Sequence, residues 1–146
     1  MSKPTDIRCV GASLYFLPIE MRMPFKFGTG VVTHVTCMRV CMTVQGADGR
    51  LAQGWGESPI SENWAWPSQL SVAMRTQTHM DFCHLLVDAW SKFDKQGHPM
   101  EVGHAFVEQQ LDQLLATINK QEALQEEPMP HLAGLICCAP FDMAMH

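Results

Sequence analysis

The stretch from Val31 to Val44 constrains the fold most tightly. Val35, Cys37, Arg39, Cys41 and Thr43 alternate with Thr36, Met38, Val40, Met42 and Val44. Side chains on a strand alternate between its faces, so this is a half-buried β-strand, and the second, more apolar set is its core face. Gly46-Ala47-Asp48-Gly49 is a turn signal, and Leu51 to Trp55 returns as a second strand ending at Gly54-Trp55-Gly56-Glu57. Upstream, Ile7 to Phe16 reads as another strand, running on to Pro18 and Ile19. Met23 to Gly30 reads as a loop, because it holds one proline and two glycines. The result is a three-stranded antiparallel meander. A sheet this small needs cover on one face.

The second half of the chain supplies that cover. Ser61 to Pro67 is a loop carrying Trp64 and Trp66. Ser68 is the expected N-cap of a helix reaching Phe93, with Leu70, Ala73, Met80, Cys83, Leu86, Trp90 and Phe93 on one face and Gln77 interrupting the stripe. Residues 94–99 break that helix, and Pro99 suits a first helical turn. Glu101 to Glu122 is a second helix, with Val107, Leu111, Leu114, Leu115 and Ile118 on one face. A polar connection containing Pro128 and Pro130 leads to Leu132–His146, an almost wholly apolar third helix without a stop signal. The expected class is α+β: a three-stranded meander followed by a helical bundle whose last helix is incomplete. An uncapped apolar end reads as a truncation on physical grounds.

Composition narrows the function. With 146 residues the chain is one ordinary domain, too short for a (β/α)8 barrel, which alone needs roughly 250 residues. A net charge of −5 with scattered basic residues argues against nucleic acid and anionic membranes as partners. No apolar run spans a bilayer and no secretory signal is visible, so a cytoplasmic location is expected, with the six cysteines reduced.

Three stretches resemble one known family in chain order. Arg22 to Gly28 (R-M-P-F-K-F-G) resembles the loop between the first two strands of mandelate racemase and muconate lactonizing enzyme relatives, within the enolase superfamily. Val44 to Ser58 resembles their second hairpin, a D-G turn followed by a G-x-G-E strand end. Ala139 to His146 resembles the helix that leads into their barrel. Residues 61–67 depart from the commoner pattern.

The resemblance implies an N-terminal capping domain over residues 1–130, with 131–146 beginning the junction to a (β/α)8 barrel. In that family the barrel binds magnesium (Mg) on three carboxylates, and a Lys or His base removes the proton next to a substrate carboxylate, giving an enediolate that the metal stabilises. Those enzymes are racemases, cycloisomerases or dehydratases, and often homo-oligomers. The cap contributes loops that exclude water and shape substrate choice. The matching positions here are 24–30 and 56–63. Trp64, just beyond them, resembles part of a hydrophobic lid, and the candidate substrate-binding residues are Phe25, Lys26, Phe27, Glu57 and Trp64. No catalytic residue and no metal ligand is expected on this chain, which should be inert alone.

Each candidate has a plainer reading. Lys26 is a solvated lysine beside two packing rings, Glu57 anchors its own loop, and the tryptophans fill the core. His79 and Cys83 share a helix face while His84 points about 100° away, so a zinc site lacks ligands. Adjacent Cys137 and Cys138 do not suit a disulfide, nor do Cys37 and Cys41 along one strand. Asp142 and His146 read as a structural junction. The rival functional class is a stand-alone interaction module docking on a separate barrel subunit through its apolar C-terminal segment. An unrelated small α+β protein would instead be a monomer without exposed apolar surface, and metal analysis would reveal a zinc protein.

Overall fold

The computed structural model describes residues 3–27 and 30–146, with the side chain of Phe27 outside that description. The elements are β1 (Ile7–Phe27), β2 (Gly30–Gly46), β3 (Leu51–Pro59), α1 (Glu62–Ala65), α2 (Val72–Lys92), β4 (Gln96–Gly97), α3 (Pro99–Phe106), α4 (Asp112–Gln121) and α5 (His131–Ala144). A π-helical turn, Val107–Leu111, joins α3 to α4 without a break in the helix. The fold is α+β, with one antiparallel sheet in the order β3-β2-β1-β4.

The sheet has a fourth strand that the three-strand expectation lacks. Residues 96 and 97 lie in the helix-breaking stretch and pair with Arg8 and Ile7. A two-residue strand carries no alternation, so no sequence pattern announces it.

β1 also runs further than expected. The stretch read as a loop from Met23 is strand as far as Phe27, pairing Phe25 with Val32, Lys26 with Val31 and Phe27 with Gly30. Pro24 is tolerated because it falls in the register shift between Glu20 and Phe25, where no ladder donor is required. The tip of this hairpin, Gly28 and Thr29, lies outside the described residues.

The chosen face of β2 is the core face: Met38, Val40, Met42 and Val44 are buried. The β2–β3 turn closes through Gly49 N–H to the Gly46 carbonyl at 2.9 Å, with Gly49 at φ +80°, where a side chain is strained.

The helices cover that face. Ser71, not Ser68, caps α2, its hydroxyl accepting from Met74 N–H at 3.1 Å. Cys83, Leu86 and Trp90 are buried as the apolar stripe requires, but Ala73 is exposed and Met80 and Phe93 are only partly buried. The first half of α2 buries Arg75, Thr78 and His79 instead. The second helix starts at Pro99 under a capping box formed by His98 and Glu101, and its buried residues include Leu111, Leu115 and Ile118. α5 lies against β3 and β2 within the same core, burying Ala133, Cys137, Phe141 and Ala144. Trp90 stacks on Phe106 with centroids 3.9 Å apart. Among the described residues no helix is long and apolar enough to cross a membrane.

A candidate ligand groove between the hairpin and the loop after β3

At the far end of the sheet, the β1–β2 hairpin and the segment after β3 bound a groove of about 470 Å³. Met21 and Phe25 come from β1, and Val32, His34 and Val35 from β2. Pro59, Ile60, Ser61, Glu62, Asn63 and Trp64 come from the end of β3 and the turn beyond it, and Val72 from the start of α2. The walls are mainly apolar, with a few polar groups, as in small-molecule sites generally. Phe25 and Trp64 are 53% and 54% exposed, so both rings still have surface to offer.

The wall bearing Trp64 is built by hydrogen bonds. Ile60 N–H bonds the Thr36 carbonyl at 2.8 Å as the chain leaves the sheet. Helix α1 is only four residues long and has no side-chain cap, so a turn this short is marginal by itself. Arg75, 5% exposed, holds it from behind. Its guanidinium donates to the carbonyls of Glu62 at 2.9 Å, Trp66 at 2.8 Å and Leu70 at 3.2 Å, and to Asn63 Oδ1 at 3.3 Å. A buried cation is costly unless its protons are taken, and here they are taken by the carbonyls of this wall. Thr76 Oγ1 donates to Glu62 Oε1 at 3.2 Å. Farther along, the carboxylate of Glu127 accepts from Ser68 and from Gln69 N–H at 2.7 Å. These bonds, the Ser68 one foremost, hold Glu127 below the usual carboxylate range.

His79 lies under this wall, fully buried, its ring 5.9 Å from that of Trp66. Nδ1 is 2.7 Å from the Arg75 carbonyl, which can only accept, so Nδ1 carries the proton. Nε2 has no partner. Burial pushes His79 below its ordinary value, against the opposing pull of its bond to Arg75 and the charge of Glu62.

The sequence candidates divide between two places. Phe25 and Trp64, from separate segments of the chain, meet in the groove. Lys26, next to Phe25 on the strand, is exposed and does not line it. Of Phe27 only the backbone is described, pairing with Gly30. Glu57 lies on the uncovered face of the sheet, where Arg39 reaches it at 2.6 Å from Nη2 and 2.7 Å from Nε. Tyr15 and Trp55 stack on that face with centroids 6.0 Å apart. Trp66 is buried in the core, 2% exposed. The clearest omission from the sequence reading is Arg75. A polar residue in a helical stripe passes for a solvated one, and only its spacing from Thr78, His79 and Phe82 marks it as sharing their face.

Among the described residues, no three His, Cys, Asp or Glu side chains are placed to hold a metal ion. His84 packs edge-on against Phe16 at 5.7 Å, apart from buried His79 and Cys83. All six cysteines are free and buried. Burial raises the Cys138 thiol to about 12, which removes it as a nucleophile.

No protein-family model matches this chain, and no curated protein matches it. Among solved structures, it is similar to a mandelate racemase/muconate lactonizing protein from Herpetosiphon aurantiacus, with a TM-score of 0.42 and 17% identity over 99% of this chain and 30% of that one. It is also similar to the L-Ala-D/L-Glu epimerase from Bacillus subtilis, solved as a substrate-liganded complex, with a TM-score of 0.33 and 19% identity over 58% of this chain and 28% of that one. The chain spans less than a third of the length of either protein.

Proposed function

We propose that this chain is a substrate-capping domain of the mandelate racemase and muconate lactonizing enzyme type. Residues 1–130 form the cap and residues 131–146 lead toward a (β/α)8 barrel that acts on a small carboxylate. The observation that carries this reading is the meeting of Phe25 and Trp64 in one groove. Phe25 comes from a segment that resembles a substrate-facing loop of that family, and Trp64 directly follows the second such segment, 56–63, whose residues from Pro59 to Asn63 also line the groove. Motifs far apart in sequence that converge on one concavity are stronger support than either motif alone.

The chain's own part is enclosure. Phe25 and Trp64 present apolar surface that excludes water and touches the part of the substrate distant from the reacting carbon. Arg75 fixes the wall in place. No acid or base is assigned here. Glu57, the carboxylate of the G-x-G-E signature, is engaged by Arg39 on the other face. The described residues do not fit a magnesium site, so no step through the metal is placed on this chain; in this reading the barrel holds it.

The test uses native protein recovered from its source cells with an antibody to this domain. Offered small carboxylates in deuterium oxide with magnesium, it should exchange the proton next to the carboxylate. A barrel should accompany the domain, either in the same polypeptide, giving a mass well above 16.4 kDa, or as a separate subunit. The purified 146-residue chain should exchange nothing. Recovery of neither a barrel nor exchange activity overturns the reading.

A further inference from the structure

The charge in the groove narrows what it takes. We infer that it receives a substrate end that is aromatic or apolar and carries a cationic group such as an ammonium, with Glu62 as the charge partner and Trp64 and Phe25 as the ring contacts. The inference rests on the capping reading for the word substrate, but its physical content belongs to the groove alone.

Among the described residues lining the groove, none is Lys or Arg, and the ionisable ones are His34 and Glu62. The basic residues Arg22, Lys26 and Arg75 all lie outside that lining. The guanidinium of Arg75 lies behind the wall with its donors on Glu62, Trp66 and Leu70 carbonyls and Asn63, and Lys26 is not among the lining residues. His34 Nδ1 is 2.9 Å from Thr33 Oγ1. Glu62 is half-buried, with one oxygen accepting from Thr76.

An anionic group entering this groove would leave water to meet a carboxylate and aromatic faces, whose quadrupoles also repel it. An ammonium would exchange its water for Glu62 and for the face of Trp64, the best side chain for holding a cation. A neutral aromatic would gain only the apolar walls. The reacting carboxylate of the substrate thus belongs away from the groove, and its cationic or neutral end within it.

Three probes that differ in one group separate the possibilities: phenethylamine, phenethyl alcohol and 3-phenylpropionate, titrated into the 146-residue protein by NMR, with Trp64 followed through its indole resonance. The amine should bind most tightly and the carboxylate most weakly, with about a tenfold gap between the amine and the alcohol. Glu62→Gln keeps an acceptor for Thr76 and should shrink the gap between amine and alcohol to what the face of Trp64 alone supplies. Trp64→Ala should weaken all three. A carboxylate that binds as tightly as the amine, or an amine–alcohol gap undiminished in Glu62→Gln, overturns the inference and leaves the groove as a ligand site. If none of the three shifts Trp64, the groove is not such a site, and both this inference and the observation behind the capping reading fall.

Discussion

The two ends of this sheet are held together by different physics. Over the body, α5 approaches β3 so closely that side chains are excluded: a Cβ at Gly54 would meet the Ala144 carbonyl, and one at Gly56 the Pro140 carbonyl. Around that contact Phe82, Phe106 and Phe141 are fully buried. Shape specifies this region, and packed interiors have little slack. At the groove, the wall is a four-residue turn stabilised by a guanidinium and a few carbonyls. Hydrogen bonds specify it, and it keeps half-exposed rings facing outward. The molecule thus places its tight packing in the body and the groove on a separately fastened edge, so each should be open to change with limited effect on the other.

Changes in the body should cost most. Gly56→Val forces a branched side chain into the Pro140 carbonyl, and α5 must lift from the sheet. A loss of about 4 kcal/mol or more is expected, enough to unfold a domain of ordinary stability. Phe106→Ala removes the partner stacked on Trp90 and leaves a cavity, with an expected loss of about 3–5 kcal/mol. Urea titration followed by circular dichroism measures both. If Gly56→Val remains folded with a native midpoint, the body is not specified by shape in the way described.

The next effect breaks the comparison from the other side. Arg75→Met keeps much of the side chain's bulk but removes a donor from the Trp66, Leu70 and Glu62 carbonyls, of which the last still accepts from Trp66 N–H, and from the exposed Asn63 amide oxygen. A global loss of about 2–3 kcal/mol is expected. The sharper readout is local. Amide exchange at Ala65 and Trp66 should rise far more than at Val40 and Met42, and Trp64 should become more accessible to a fluorescence quencher. Equal acceleration at all sites would mean that the wall is part of the same cooperative unit as the body.

The same division explains what the sequence made legible. The β2 face of Met38, Val40, Met42 and Val44, the turn at Gly46–Gly49 and the buried Leu111, Leu115 and Ile118 all follow from apolar periodicity and turn chemistry, because tertiary packing there repeats a local pattern. The extension of β1 to Phe27 was hidden, because Pro24 and Gly28 resemble a loop and only the pairing of Phe25 with Val32 overrides them. Ser71 took the cap expected of Ser68 because Ser68 bonds Leu70 N–H and Glu127 instead. The π turn at Val107–Leu111 leaves no mark in composition. In the groove, Phe25 was reachable through a motif and Trp64 as an aromatic residue in the loop after the third strand. Arg75 and Glu62 were not, since their roles consist of backbone carbonyls and a shared cavity, and neither has a residue-type signature.

A smaller effect sharpens the boundary between the two regions. His79 is buried neutral, and its folded-state value lies below the unfolded one. The unfolded chain therefore binds the extra proton first as the pH falls. The stability that neutral His79 contributes is fully present above ~6.5, the unfolded value. It is lost as the pH falls from there through the folded value. The groups bearing on it are Glu62 from α1, which favours its protonation, and Arg75 on α2, whose charge opposes it; Cys137 from α5 reaches only its backbone carbonyl, through Sγ at 3.9 Å. The melting temperature should fall between pH 7 and 5, and His79→Leu should flatten that slope. A slope unchanged in the variant would assign the acid sensitivity elsewhere.

The smallest effect belongs to the uncovered sheet face. Arg39 and Glu57 are the most closely paired opposite charges there, yet their side chains are 47% and 37% exposed. Water and salt screen such a pair, and ordering two flexible side chains offsets much of the attraction. A double-mutant cycle with Arg39→Met and Glu57→Gln should give a coupling of about 0.2–1 kcal/mol, shrinking in 1 M salt. The probes that enter the groove should bind all three variants as they bind the parent protein. If Glu57→Gln instead weakens phenethylamine while the fold stays intact, then Glu57 acts on the groove through the sheet. The groove edge would then not be separately fastened, and the G-x-G-E carboxylate would act on the proposed site from the other face of the sheet.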